Sequence, residues 1–233
     1  DLHLSIRRQR QMCIRDSDVL ALLPLHTALT CARVLSQEFE RAIQLACPLL
    51  STKPTLSVGL AVVHHLEHMG RARKLAHDAE KLAKKKRNSL AIIVDKRSGG
   101  TISVTGSWDE EKTPIDKRIQ KWVALLATDK LPDGVAFELL EVLAPFEVPS
   151  PGADPTLKEP PSAELKSLVK RVLGRKRSSG GQAVLHEDII QELTARIYAD
   201  SDPIAAVRAL SYELQIAREF WRAEKLAKGE LPK

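Results

Sequence analysis

Apolar positions along the chain follow two regimes that change near Trp108. In the first regime, short β-branched runs alternate with helical stretches. Residues 18–23 read DVLALL, an apolar run stopped by Pro24 that predicts a short buried strand. Over residues 26–45, Ala28, Ala32, Leu35, Phe39, Ala42 and Ile43 recur at steps of three and four, the period of an amphipathic helix. Residues 55–64, TLSVGLAVVH, follow Pro54, are rich in β-branched side chains and carry Gly59 mid-run, which predicts a central strand. Helical spacing returns over residues 71–85 through Ala72, Leu75, Ala79, Leu82 and Ala83. Residues 89–96 and 101–108 are then two β-rich runs separated by Arg97-Ser98-Gly99-Gly100, a hairpin pattern.

Past Trp108 the β-branched clusters stop. Helical patterns occupy residues 114–128, 135–145, 163–175, 187–199 and 203–228. Two stretches rich in Pro, Gly and Ser, residues 149–161 and 178–182, break this half and predict loops. No internal repeat is evident. The pattern predicts an α+β unit over residues 18–108 followed by an all-helical unit over 109–233, the second expected to be the sturdier because its contacts are local.

Composition narrows the classes. With 233 residues, 43% of them hydrophobic, the chain has enough apolar material for one or two packed domains, which excludes disorder throughout and a collagen-like fibre. No apolar run approaches the roughly 20 residues that cross a bilayer, and no secretory signal opens the chain, so the expectation is a cytoplasmic protein without a membrane partner. Cys13, Cys31 and Cys47 have no paired metal-ligand spacing, and an odd number argues against a disulfide framework. The net charge of +6 permits an RNA or nucleotide partner without identifying one.

The first 17 residues read differently from the rest. Their ending, RRQRQMCIRDS, resembles a translated sequencing-library adapter, so residues 1–17 are expected to be foreign to the fold. The alternative is a basic arm able to touch phosphates. With the adapter reading, Met69 is the one methionine left and the remainder is expected to come from a longer protein.

Three blocks then point to a family. DVLALLPLHTAL at residues 18–29, TLSVGLAVVHHLE at 55–67 and KRNSLAIIVDKRSGG at 86–100 resemble, in order and spacing, the second palm domain of the large signature subunit of type III CRISPR effector complexes, most similar to the Cmr type (III-B). The resemblance covers about 90 residues, and the helical remainder fits that subunit's C-terminal helical domain by position. It implies a truncated ferredoxin-like palm, akin to GGDEF and nucleotide-cyclase domains, followed by an all-α domain.

It also implies chemistry. The family palm carries a Gly-Gly-Asp-Asp turn immediately before the strand that resembles VLALL. Glycines let the backbone approach a triphosphate, and carboxylates hold divalent cations, Mg²⁺ or Mn²⁺, against the phosphates. Here Asp18 stands at the second acidic position, Ser17 at the first, and Arg15 and Asp16 where the glycines belong. The adapter reading supplies two bases of codon 17, so the parent sequence is expected to hold Asp there. Asp18 is therefore the candidate catalytic and metal-binding residue; read without the family, it is a turn residue before a strand.

Lys84 ends AHDAEKLAK, which resembles a palm helix whose terminal lysine reaches nucleotide phosphates; Lys81, Lys84, Lys85, Lys86 and Arg87 equally suit a solvated helix C-terminus. Ser57 and Gly59 lie on the strand that, by resemblance, faces base or ribose, with plain sheet packing as the other reading. His64, His65, His68 and His77 lack zinc-ligand spacing and read as structural. The basic run over residues 166–177 suits RNA phosphates, an acidic neighbour or a solvated face, and it has no interleaved aromatics for stacking. Phe220 and Trp221 read as core or interface.

The leading expectation is thus a large subunit that makes cyclic oligoadenylate from ATP when its complex binds target RNA, its partners being the other subunits and, through them, guide and target RNA. A non-catalytic scaffold and RNA-complex interface is the first rival, and a diguanylate-cyclase-like signalling domain the second, though the latter has no use for over 120 helical residues after its palm. The present chain, with its altered turn, is expected to be inactive.

Overall fold

The computed structural model describes residues 19–49, 53–96, 100–109, 113–147, 162–175, 185–198 and 200–230. Among them, seven helices and a three-stranded sheet form an α+β fold: α1 (Leu25–Ala46), β1 (Val58–Val63), α2 (Met69–Lys86), β2 (Ser89–Lys96), β3 (Gly100–Ser107), α3 (Ile115–Ala127), α4 (Val135–Glu147), α5 (Ser162–Gly174), α6 (Glu187–Tyr198) and α7 (Pro203–Ala227). The sheet order is β1-β2-β3. β1 runs parallel to β2, from Val58 opposite Leu90 to Val63 opposite Asp95, with α2 as the crossover. β3 returns antiparallel, from Ser107 opposite Ser89 to Gly100 opposite Lys96.

The two faces of β2 explain its unbroken apolar sequence. Leu90, Ile92 and Val94 enter the main core together with Ile102 and Val104 of β3 and the half-buried Val58, Leu60 and Val62 of β1. Ala91 and Ile93 point the other way, where Ala79 and Ala83 of α2 are fully buried. Alternation on a strand covered on both faces erases the polar positions. Small residues at this second layer let helix and sheet come close.

The bundle is organised around α7, which touches α4, α3, α1, α6, α5 and β3. Its start is set by Asp202, whose side chain accepts from Ala205 N at 3.0 Å, and by Pro203 in the first turn. Val207, Leu210, Leu214, Ala217 and Phe220 of α7 are buried, and Ser211 Oγ donates to the Ala136 carbonyl of α4 at 2.6 Å. Glu213, almost completely buried, is held by Arg118 of α3 at 3.0 Å and Arg196 of α6 at 2.6 Å.

Sheet and bundle share one core, because the buried cluster runs without interruption from Ala28, Leu29 and Ala32 of α1 through the strands to α3, α4 and α7. Trp108 sits at the joint. Its indole donates to the Leu56 carbonyl at 3.1 Å, and the Arg33 guanidinium lies 4.7 Å over its ring. Arg33 Nε also donates to Asp116 at 2.6 Å, while its Nη2 bonds the second oxygen of that buried carboxylate. Lys96 at the end of β2 pairs with Glu219 of α7 at 2.7 Å.

One expected element is absent. Residues 19–23 form no strand; they are extended coil leading into α1, with Val19 89% and Leu22 74% exposed. A strand requires a partner, and this run pairs with none of β1, β2 and β3 before Pro24 sets the start of α1. Asp18, the segment 1–17 and the loops expected at 149–161 and 178–182 lie outside the described residues.

Candidate nucleotide site

The βαβ layer brings three of the four candidate residues to one region. Ser57 immediately precedes β1 and is half-buried. Gly59 is the second residue of β1, opposite Ala91. A Cβ at Gly59 would strike Glu80 N and lie 2.7 Å from Ala79 C, so the missing side chain is what lets the α2 backbone rest on the strand. Lys84 follows Glu80 by one turn, on the same helix.

A crossover helix runs antiparallel to its strands. One turn from Glu80 to Lys84 is therefore about 6 Å toward the N-terminal end of β1, and the two-residue step from Gly59 back to Ser57 covers about the same distance. Ser57 and Lys84 accordingly mark the same end of the layer. Lys84 is exposed and ion-paired with Glu80, a partner predictable from the i, i+4 spacing but passed over in the sequence reading. Asp18 lies outside the described residues, so its relation to Ser57 and Lys84 is undefined.

The opposite end of α2 is fastened separately. Arg71 donates to Asp95 at the end of β2 through Nη2 at 2.6 Å, and Thr101 donates to the other oxygen of Asp95 at 3.0 Å. The hydrogen bond to Asp95, then the charges of Asp95 and Glu67, push the Arg71 guanidinium pKa up. His68 caps α2 by accepting from Gly70 N at 3.1 Å, His64 accepts from Leu66 N at 3.2 Å, and His77 faces Glu80 at 3.3 Å. Each of these histidines thus has a local task, and among the described residues no three His, Cys, Asp or Glu side chains gather around a common point.

Residues 16–91 match Cas10/Cmr2, second palm domain. That stretch, about a third of the chain, is similar to the second palm of the Cas10/Cmr2 family. All four candidates, Asp18, Ser57, Gly59 and Lys84, fall within the matched stretch, which ends at the start of β2. A Cas10/Cmr2 palm match supports a large subunit of a type III CRISPR effector complex. No curated protein and no solved structure matches the chain. Among the described residues, no helix is long and apolar enough to cross a membrane.

Proposed function

We propose that this Cas10/Cmr2 palm comes from a large subunit that makes cyclic oligoadenylate from ATP on target-RNA binding, within a complex that contributes guide RNA and the remaining subunits; with Arg15-Asp16-Ser17 before Asp18, the present chain binds ATP without completing the reaction. The supporting observation is the palm match over residues 16–91, which encloses Asp18, Ser57, Gly59 and Lys84. In this reading Lys84 neutralises triphosphate charge, a role for which an exposed ammonium on a fixed helix is suited. The Ser57 hydroxyl hydrogen-bonds base or ribose. Gly59 contributes by closeness: it seats α2 on β1 and thereby fixes the height of Lys84 above the strand. The described residues supply no ion cage of their own. In this reading Asp18 would hold a Mg²⁺ or Mn²⁺ ion, which would supply the charge that steadies the phosphates and activates the attacking hydroxyl.

Titration of the whole chain with a fluorescent ATP analogue tests this. Saturable binding is expected, weakened about tenfold by K84Q, in line with the loss of one charge-assisted contact. D18N is expected to remove any dependence on Mn²⁺. Absence of saturable binding, or binding indifferent to both substitutions, overturns the reading. A scaffold role is the second reading, favoured by the non-glycine Arg15-Asp16-Ser17 before Asp18 and by the core that the palm shares with the bundle.

A further inference from the structure

The chain's net charge is not spread over its surface. Residues 69–87, which are α2 and its cap, hold eight Lys and Arg against two acidic residues, an excess equal to the +6 of the whole chain. Everything else is neutral in sum. Within α2 the cations follow the helical repeat: Arg73, Lys74, Lys81, Lys84 and Lys85 fall on one side, opposite the buried Ala79 and Ala83 that meet the sheet. All five are exposed, and the stripe from Arg73 to Lys85 spans about 18 Å at the α-helical rise.

Helix electrostatics accounts for only part of this. Lys84, Lys85 and Lys86 occupy the last turn, where the negative end of the dipole favours cations. Arg73 and Lys74 lie past the first turn and far from the last, so the dipole gives no reason for them, and the first turn holds no acidic residue to pair with them. Arg71 is neutralised by Asp95, whereas Arg73, Lys74, Lys81 and Lys85 have no ion pair among the described residues. The face also lacks what a protein partner needs. It has no aromatic or aliphatic centre between the cations, and lysine is depleted at protein–protein interface cores.

We propose that this outer face of α2 docks a nucleic-acid backbone, through phosphates and without reading bases. The inference is independent of ATP chemistry, since it concerns the side of α2 turned away from β1 and omits Lys84 from its required contacts. Recognition of this kind is indifferent to sequence and falls steeply with salt, by roughly 0.7 in the log–log slope for each phosphate contact on a single strand.

Fluorescence anisotropy of the full chain with a labelled 20-residue oligouridine and a mixed-sequence RNA of equal length tests it. Equal affinities are expected. The variant R73Q/K74Q/K81Q/K85Q, altered only at exposed positions, is expected to bind at least tenfold more weakly and to flatten the salt slope by about 3, with unchanged circular dichroism. A second variant, R7Q/R8Q/R10Q/R15Q, is expected to bind like the parent, which separates α2 from the basic N-terminal arm. Loss of binding in the arm variant with retention in the α2 variant overturns the proposal. So does tighter binding to polyglutamate than to either RNA, which would mark the face as a site for an acidic protein.

Discussion

Gly59 and Glu213 show how much can depend on one position. A methyl group at Gly59 meets the α2 backbone rather than a movable side chain, so G59A must push the helix off the sheet. Overpacking of this kind typically costs about 1 to 3 kcal/mol, and urea denaturation of G59A is expected to show a loss in that range. In the sequence Gly59 was visible as a glycine in a strand, with nucleotide contact and sheet packing both open; the close approach of Ala79 and Glu80, twenty residues away, was not. Glu213 was not legible at all, because its partners Arg118 and Arg196 come from two other helices. Burial pushes its carboxyl pKa up, but the hydrogen bonds and charges of Arg196 and Arg118 outweigh that and hold it below the ordinary glutamate value. A depressed folded-state pKa stabilises above the unfolded value, about 4.3, and that contribution disappears as pH falls through the folded one. E213Q is expected to lose about 3 to 5 kcal/mol near neutral pH, because it leaves two guanidinium groups facing a neutral amide. The gap between parent and E213Q, followed by urea midpoints, should narrow under acidic conditions. By the family resemblance, Ser17 stands where a metal carboxylate would and Arg15-Asp16 where a glycine turn would. Losing one such electrostatic element commonly costs about 3 kcal/mol of barrier or more, so the chain is expected to form no cyclic oligoadenylate from ATP and Mn²⁺ by chromatography. Product that D18A abolishes would contradict this.

Elements whose signals are local were the most legible. The helical periodicities over residues 26–45 and 71–85 correspond to Leu25–Ala46 and Met69–Lys86, and the hairpin runs correspond to Ser89–Lys96 and Gly100–Ser107. The run at 18–23 went wrong for a non-local reason: its apolarity suits a strand, but pairing depends on a neighbour that no local pattern specifies. Strand β1 was expected to be central and is an edge among the described strands, bonded to β2 on one side. Alternate amides along an edge strand face away from the ladder. Hydrogen exchange is therefore expected to divide β1, with alternate amides exchanging fast, whereas β2, bonded on both sides and buried from Ser89 to Val94, stays protected. Uniform protection along β1 would mean that its outer edge is covered.

At the scale of the whole molecule, the change of pattern at Trp108 reads from the sequence as a boundary between two units, yet the structure makes Trp108 a joint. It is almost fully buried, it bonds Leu56 ahead of β1, and it is stacked by Arg33, which in turn holds Asp116 at the start of α3. Composition can reveal where strand formers give way to helix formers. It cannot reveal that α1 and α7 bury side chains in the same cluster, since that depends on contacts between residues nearly 190 positions apart. A shared core of this kind unfolds with both halves together when its central contacts dominate. Trp fluorescence, which samples the joint at Trp108 and the bundle at Trp122 and Trp221, is thus expected to follow the same urea transition as the far-ultraviolet signal. D116A offers the sharper test. It leaves the Arg33 guanidinium partly buried without its carboxylate, a change expected to cost about 3 kcal/mol or more. If sheet and bundle are one cooperative unit, that loss moves both signals by the same amount. If D116A instead separates them into two transitions, the contact between Arg33 and Asp116 is a docking bond between independently stable halves.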